Sequence, residues 1–287
     1  MRIAVASGKG GTGKTTVATN LAHVASRAGR AVAYLDCDVE EPNGHIFLRP
    51  TIERERAIER LVPVVDPARC THCGECARAC RYGALASLPN QTLVFAELCH
   101  ACGGCSLACP AEAIRETPRT IGKLRLGASG PMGFAEGVLN VGEAMSPPAV
   151  RAVKAAADTE PGLAAAELVV LDAPPGTSCP VVETVRGCDL VILVTEPTPF
   201  GLHDLALAVE MVRAMRLPLG VVINRADVGN GKVRQYCTGH RVPVLAEIPD
   251  DRAVAEAYSR AQMIAEVVPG FAERMRDLLA RVEDETA

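Results

Sequence analysis

The chain has 287 residues, 48% hydrophobic and 22% charged, with a formal net charge of −4. This balance is ordinary for a globular protein, and the charge argues against nucleic acid or an anionic membrane as the main partner. Aromatic residues are only 3% and tryptophan is absent, so the core must be built from Ala, Val, Leu and Ile.

The opening MRIAVASGKGG has no basic segment leading into a long apolar run, so it does not read as a signal peptide. No stretch is apolar over the length of a bilayer span. An intracellular, cytoplasmic protein is expected. In that compartment twelve cysteines point to metal ligands rather than disulfides.

Arg2–Ser7 reads as a short buried strand, followed by a glycine-rich turn and a helix from about Lys14 to Ala28 that stops near Gly29. The next strand is Ala31–Asp36. Further buried-strand candidates are Leu168–Asp172, Leu190–Thr195, Leu217–Asn224 and Val242–Ile248, with helices over Leu202–Met215 and Asp251–Gln262 between and after them. Apolar strands alternating with helices predict a parallel sheet covered on both faces. The pattern breaks between about Val62 and Glu116, where the apolar runs shorten and cysteines cluster. Ile121–Val141 is glycine-rich and reads as a hairpin or a mobile loop. Ala144–Ala157 reads as a helix started by Ser146-Pro147-Pro148. Phe271, Met275, Leu278, Leu279 and Val282 mark a final amphipathic helix, which ends EDETA and lacks the basic flanks of a membrane-surface helix.

Gly8-Lys9-Gly10-Gly11-Thr12-Gly13-Lys14-Thr15 fits G-x-x-x-x-G-K-[ST] and sits between a predicted strand and a predicted helix. Glycines let successive N–H groups turn toward phosphate oxygens, and the helix N-terminus adds favourable partial charge. Lys14 is expected at the β- and γ-phosphates, Thr15 on Mg²⁺ and Thr16 near the α-phosphate. The run Lys9 to Thr15, K-G-G-x-G-K-T, resembles the deviant-Walker ATPases, which include MinD, ParA, the Mrp-type iron–sulfur carriers and the nitrogenase iron protein. The resemblance implies a homodimer, or a heterodimer with a paralogue, that sandwiches two ATP molecules. Lys9 of one subunit would touch the partner's nucleotide. Asp36 and Asp38 end the second strand, and the second of them, Asp38, corresponds to the acid that orients the attacking water. Asp172 in LVVLDAPPG matches the switch II sequence D-x-P-P-G and the Walker-B acid of the Mg²⁺ shell, with Gly176 freeing the loop. Asn224 in VVINRAD matches the position that reads adenine.

CTHCGECARACRYGAL at 70–85 aligns with CHACGGCSLACPAEAI at 99–114, cysteine over cysteine, an internal duplication. C-x₂-C-x₂-C-x₃-C, twice, resembles the bacterial ferredoxins. That resemblance implies two [4Fe-4S] clusters, one on Cys70, Cys73, Cys76 and Cys109, the other on Cys80, Cys99, Cys102 and Cys105. Structural zinc would more often use two CxxC pairs with a long spacer. Pro110 follows Cys109 as that pattern expects, but Arg81 follows Cys80. Of the other four cysteines, Cys37 and Cys188 read as buried beside strands, and Cys237 has no assignment. Cys179 stands seven residues after Asp172, as an interface-cluster cysteine does in the nitrogenase iron protein. The second such cysteine is missing, so a dimer would offer paired Cys179 thiols for a metal or transient cluster. The six histidines, among them His45, His72 and His100, show no metal-ligand spacing.

Together these features predict a mostly parallel α/β P-loop domain over 1–61 and 117–287, like MinD or the nitrogenase iron protein, with a small α+β ferredoxin-like domain inserted at 62–116. The expected activity is ATP hydrolysis, with Lys9, Lys14 and Asp38 as the catalytic groups, coupled through a dimer switch to ferredoxin-type electron transfer. Iron–sulfur or metallocofactor assembly with a redox or iron–sulfur partner protein is the first reading. An ATP-gated electron donor and a redox-sensing scaffold ATPase are the alternatives. An amidoligase related to cobyrinate diamide synthases would need a glutaminase module that the sequence does not display.

Overall fold

The computed structural model describes residues 1–286. In chain order, β1 (Arg2–Ala6) leads through the glycine-rich turn into α1 (Lys14–Arg27), followed by β2 (Val32–Asp36) and α2 (Gly44–Leu48). Then come β3 (Thr51–Val65), α3 (Glu75–Ala79), the hairpin β4 (Leu85–Leu88) and β5 (Gln91–Val94), a 3₁₀ turn at Ala96–Leu98, and α4 (Gly104–Leu107). The chain returns along β6 (Ile114–Ser129) and β7 (Met132–Leu139), then α5 (Pro147–Thr159), α6 (Pro161–Ala164), β8 (Leu168–Asp172) and α7 (Cys179–Val185). It closes with β9 (Leu190–Thr195), α8 (Pro199–Ala214), β10 (Leu219–Asn224), α9 (Lys232–Gly239), β11 (Val244–Ile248), α10 (Arg252–Ser259), α11 (Ile264–Val267) and α12 (Phe271–Thr286).

Nine strands form one sheet in the order β11-β10-β9-β1-β8-β2-β7-β6-β3. The seven from β11 to β7 are parallel, and β6 and β3 continue the sheet antiparallel. Parallel strands need helices on both faces, and the sequence supplies apolar residues for both. On β1, Ile3 and Val5 join one core with α1, α11 and α12, while Ala4 and Ala6 join the other with α5, α7 and α8. The predicted elements over 2–36 and 168–262 are present, with ends shifted by up to three residues: α8 begins at Pro199 rather than Leu202, and α10 ends at Ser259 rather than Gln262. Asp251 caps α10 through Ala253 N–H, and Thr198 caps α8 through Gly201 N–H. The glycine-rich stretch after residue 121 is a hairpin, with β7 inside the sheet rather than mobile.

β3 and β6 pair over their whole length, from Thr51↔Ala128 to Val65↔Ile114, yet β7 covers β6 only from Gly122 to Ser129. Beyond β7 the two run on as a free ribbon. Residues 66–113 fold at its end as a lobe made of α3, the β4–β5 hairpin and α4. Its small core comprises Val62, Cys76, Ala84, Leu85, Cys99 and Cys105. β3 is the sheet's edge, and its first seven residues, TIERERA, are exposed. Alternating charges there discourage another chain from pairing with the edge.

Phe134 on β7 is fully buried and stacks on Tyr34 of β2, ring centroids 5.9 Å apart and planes 11° apart. Phe134→Ala should destabilise the chain by about 3–5 kcal/mol, measured by urea unfolding.

Candidate functional site

The turn after β1 is shaped by its own side chains. Ser7 Oγ donates to the Lys9 carbonyl at 2.6 Å, and Gly11 and Gly13 hold φ of +77° and +95°, where a side chain would be strained. Gly13 caps α1 in this left-handed conformation, so the first N–H groups of α1 face the turn. A Cβ on Gly8 would sit 2.2 Å from the Asp204 carbonyl oxygen, so the close approach of α8 requires glycine there. Gly11, Gly13, Lys14, Thr15 and Thr16 line a cavity of about 320 Å³ whose far wall carries Pro249, Val254 and Tyr258. A polar floor with an apolar wall suits a phosphate-bearing ligand with a flat ring.

Asn224 lines the same cavity, but both ends of its amide are engaged. Nδ2 donates to the Thr12 carbonyl at 2.9 Å, and Oδ1 accepts from Arg225 N–H at 3.1 Å. It therefore buttresses the back of the turn. Lys9 leans away from the turn's centre onto Glu196 at the end of β9, 3.6 Å away, and Arg225 holds the other oxygen of Glu196 at 3.0 Å. Glu196 escaped the sequence analysis because nothing in the local pattern marks it as the partner of a lysine 187 positions earlier.

The three acids lie beside this turn. Asp36 and Asp172 are aligned partners on neighbouring parallel strands and are 0% and 1% exposed. Asp36 accepts backbone N–H bonds from Asp38, Asn43 and Gly44. Asp172 Oδ2 accepts from Tyr34 Oη at 3.0 Å, while Oδ1 has no hydrogen-bond partner among the described residues. Tyr34 was legible in principle, since it stands two residues before Asp36 and so shares its face. Burial raises the Asp36 carboxyl well above the usual range, reinforced by Asp172. Burial also raises Asp172, opposed by Lys14 and by the Thr15 and Tyr34 hydroxyls. Asp38, half-buried, is lifted to about 6, mainly by burial, with Lys14 pulling it down and Asp172 pushing it up. The loop after β8 runs alongside the phosphate turn, Gly176 N–H donating to the Ser7 carbonyl at 2.9 Å with φ +96°.

In the lobe the eight repeated cysteines are sorted into two sets. Cys70, Cys73, Cys76 and Cys109 line one small cavity, and Cys80, Cys99, Cys102 and Cys105 line another. The duplication is visible in the bonds: Ala84 N–H points at Cys80 Sγ, 3.3 Å, and Ala113 N–H at Cys109 Sγ, 3.2 Å. His100 stacks on Tyr82, ring centroids 3.6 Å apart, beside the second set. Among the described residues no three His, Cys, Asp or Glu side chains come close enough to hold a single metal ion. Cys179 is exposed at the start of α7. Cys37, Cys188 and Cys237 are buried. Burial raises the Cys37 thiol far above its ordinary value and the other two to about 11, which keeps all three inert. No helix among the described residues is long and apolar enough to cross a membrane.

The CobQ/CobB/MinD/ParA nucleotide-binding domain family matches residues 3–264. An uncharacterized protein of Methanocaldococcus jannaschii is 28% identical over 99% of this chain and 97% of its own length. An iron-sulfur cluster carrier protein of Aquifex aeolicus is 27% identical over 91% of this chain and 61% of its own length. Among solved structures, the septum site-determining protein MinD from Pyrococcus horikoshii, complexed with Mg-ADP, superposes with a TM-score of 0.57 at 18% identity. That superposition covers 98% of this chain and 95% of that one.

The raised acids set the pH dependence of the nucleotide-free chain. A carboxyl whose folded value lies above its unfolded value binds its proton more tightly in the folded state. The Asp38 contribution to stability should therefore rise as pH falls through about 6 toward the ordinary value of 3.8. Asp38→Asn should flatten that part of the curve, as read from Tm against pH.

Proposed function

The chain belongs to the CobQ/CobB/MinD/ParA nucleotide-binding family and has the fold of the MinD/ParA ATPases. On that premise we propose that it hydrolyses ATP to switch a dimer that carries two [4Fe-4S] clusters, in iron–sulfur or metallocofactor assembly or delivery. The iron–sulfur part rests on one observation, the sorting of eight thiols into two separate cages of four. The likeness to an iron-sulfur cluster carrier protein favours delivery.

In this reading the backbone N–H groups of residues 8–13 and the Lys14 ammonium hold the phosphates. Thr15 and Asp172 would hold Mg²⁺, and the unpartnered Oδ1 of Asp172 is an oxygen left open for such a cation. When bound, Mg²⁺ neutralises phosphate charge and the clusters supply one-electron transfer. Asp38 orients the attacking water, and its raised proton affinity suits it to share that water's proton. Asn224 fixes the turn and lies where the base would rest. Dimer closure lets Lys9 exchange Glu196 for the partner's nucleotide. The same closure faces the exposed Cys179 thiols toward one another. The working compartment is the cytoplasm, where thiolate ligands stay reduced.

The test is anaerobic reconstitution with iron and acid-labile sulfide analysis. The chain should bind about eight irons, and Cys73→Ser and Cys102→Ser should each fall to about four. Zinc without iron would overturn the cluster assignment. Asp38→Asn should lower kcat by about 10²–10⁴-fold while nucleotide binding persists, and Lys14→Ala should lose binding.

A further inference from the structure

Arg60 on β3 stands directly opposite Arg119 on β6, within the free ribbon that leads to the lobe. Like charges at facing positions repel. Here one carboxylate takes both: Glu143 Oε1 accepts from Arg60 Nη2 at 2.8 Å, and Oε2 from Arg119 Nη1 at 2.9 Å. The Arg60 and Glu143 side chains are 2% and 3% exposed, so the pair is held out of water. Arg60 also reaches into the lobe. Nη1 donates to the Cys99 carbonyl, and Nη2 to the Ala96 carbonyl at 2.8 Å. A buried cation on the ribbon thus grips the backbone of a residue in the second cysteine cage.

Glu143 belongs to the turn that follows β7. Its N–H donates to the Asn140 carbonyl, Asn140 N–H to Ile121 on β6, and Leu139 N–H to the Val39 carbonyl at 2.9 Å. Val39 is the residue after Asp38. Hydrogen bonds and short pieces of chain therefore run without a break from Asp38 to Cys99. The turn is anchored to β6 at Asn140, whose Nδ2 also donates to the Thr120 carbonyl at 3.3 Å, while its tip is exposed at Val141 and Gly142 takes the left-handed φ of +83°. Among the described residues, the Glu143 carboxylate forms its hydrogen bonds with the two arginines that it bridges.

We propose that Glu143 and Arg60 are positioning residues that carry the state of the Asp38 loop to the Cys99 cage. A displacement of Val39 shifts Leu139 and the turn, and Glu143 then re-aims the guanidinium that holds the Cys99 carbonyl. Backbone dipoles and hydrogen bonds around a thiolate ligand tune the group that it holds, so a re-aimed carbonyl is read there. Both sites keep their own chemistry, and the link adds a free-energy coupling between them. The inference rests on the ATP and cluster reading above, and names how the two halves would communicate.

The experiment compares the reconstituted full chain with Glu143→Gln, Arg60→Lys and Arg119→Gln, with and without MgATP. Amide hydrogen exchange is followed at 36–43 and at 96–101, alongside EPR of the reduced clusters. The native chain should change at both segments and in its spectrum. Glu143→Gln and Arg60→Lys should keep their iron and the change at 36–43, but lose the change at 96–101 and in the spectrum. Arg119→Gln, which leaves the Arg60–Glu143 bond in place, should behave as the native chain. A response at 96–101 in Glu143→Gln equal to the native one makes the clamp a structural strut and overturns the inference. Should Glu143→Gln not fold, Arg60→Lys decides by the same criterion. A native chain that responds at 36–43 and nowhere else overturns the inference and leaves the ATPase reading standing. A native chain silent at 36–43 as well overturns both.

Discussion

Two carboxyls set side by side in a buried sheet are the constraint from which the rest of the site follows. Asp36 and Asp172 are aligned on adjacent strands with almost no exposure. Ionising both there is unfavourable, by burial and by mutual repulsion. The chain answers each differently. Asp36 draws three backbone N–H groups around itself, which bends residues 37–44 into the loop that carries Asp38. Asp172 accepts from the Tyr34 hydroxyl, feels the nearby charge of Lys14 and the Thr15 hydroxyl, and keeps one oxygen without a hydrogen-bond partner among the described residues. An unliganded site with these properties is destabilised, and a cationic ligand that binds only the folded chain recovers the difference.

The polar row does not stop at Asp36. Its aligned partner on β7 is Glu136, only 1% exposed, which meets His45 Nδ1 at 2.9 Å and Arg125 of β6 at 3.2 Å. Arg125 in turn bonds Glu55 of β3 at 2.9 Å. Ionisable side chains thus cross five strands in register, from Asp172 to the edge of the sheet. An apolar row would have packed as well in bulk terms, but the alternating signs fix the register of the antiparallel extension, where a one-residue slip would oppose like charges.

How much of this could be read from the residues follows from the range of each interaction. β1, β2, β8 and β9 are short apolar runs bounded by turn residues, and the phosphate turn is a contiguous motif, so local pattern was enough. The cysteine repeat was equally plain. The long ribbon was not. TIERERAIERL carries too much charge for a buried strand, and its pairing partner begins some fifty residues later. β7 hides because its glycines are demanded by packing: a Cβ on Gly133 would meet the Gly162 carbonyl oxygen at 2.6 Å, and one on Gly137 the Val39 side chain at 2.6 Å. Glycines placed for close packing look like a loop from sequence alone. The Lys9–Glu196 and Arg60–Glu143 pairs join residues far apart in the chain, and no local spacing announces them.

The lobe leaves the sheet at Val65 and returns at Ile114, which are facing partners, and Asp66 N–H bonds the Ala113 carbonyl at 2.7 Å. Facing residues in an antiparallel pair stand about 5 Å apart, a gap that a two-residue turn can close. The cysteine-bearing piece is therefore a cassette on a hairpin tip. Replacing it by a short turn between those two strand ends would leave the strand order of the body unchanged. What the body would lose with it are the contacts that Arg60 makes with the carbonyls of Cys99 and Ala96.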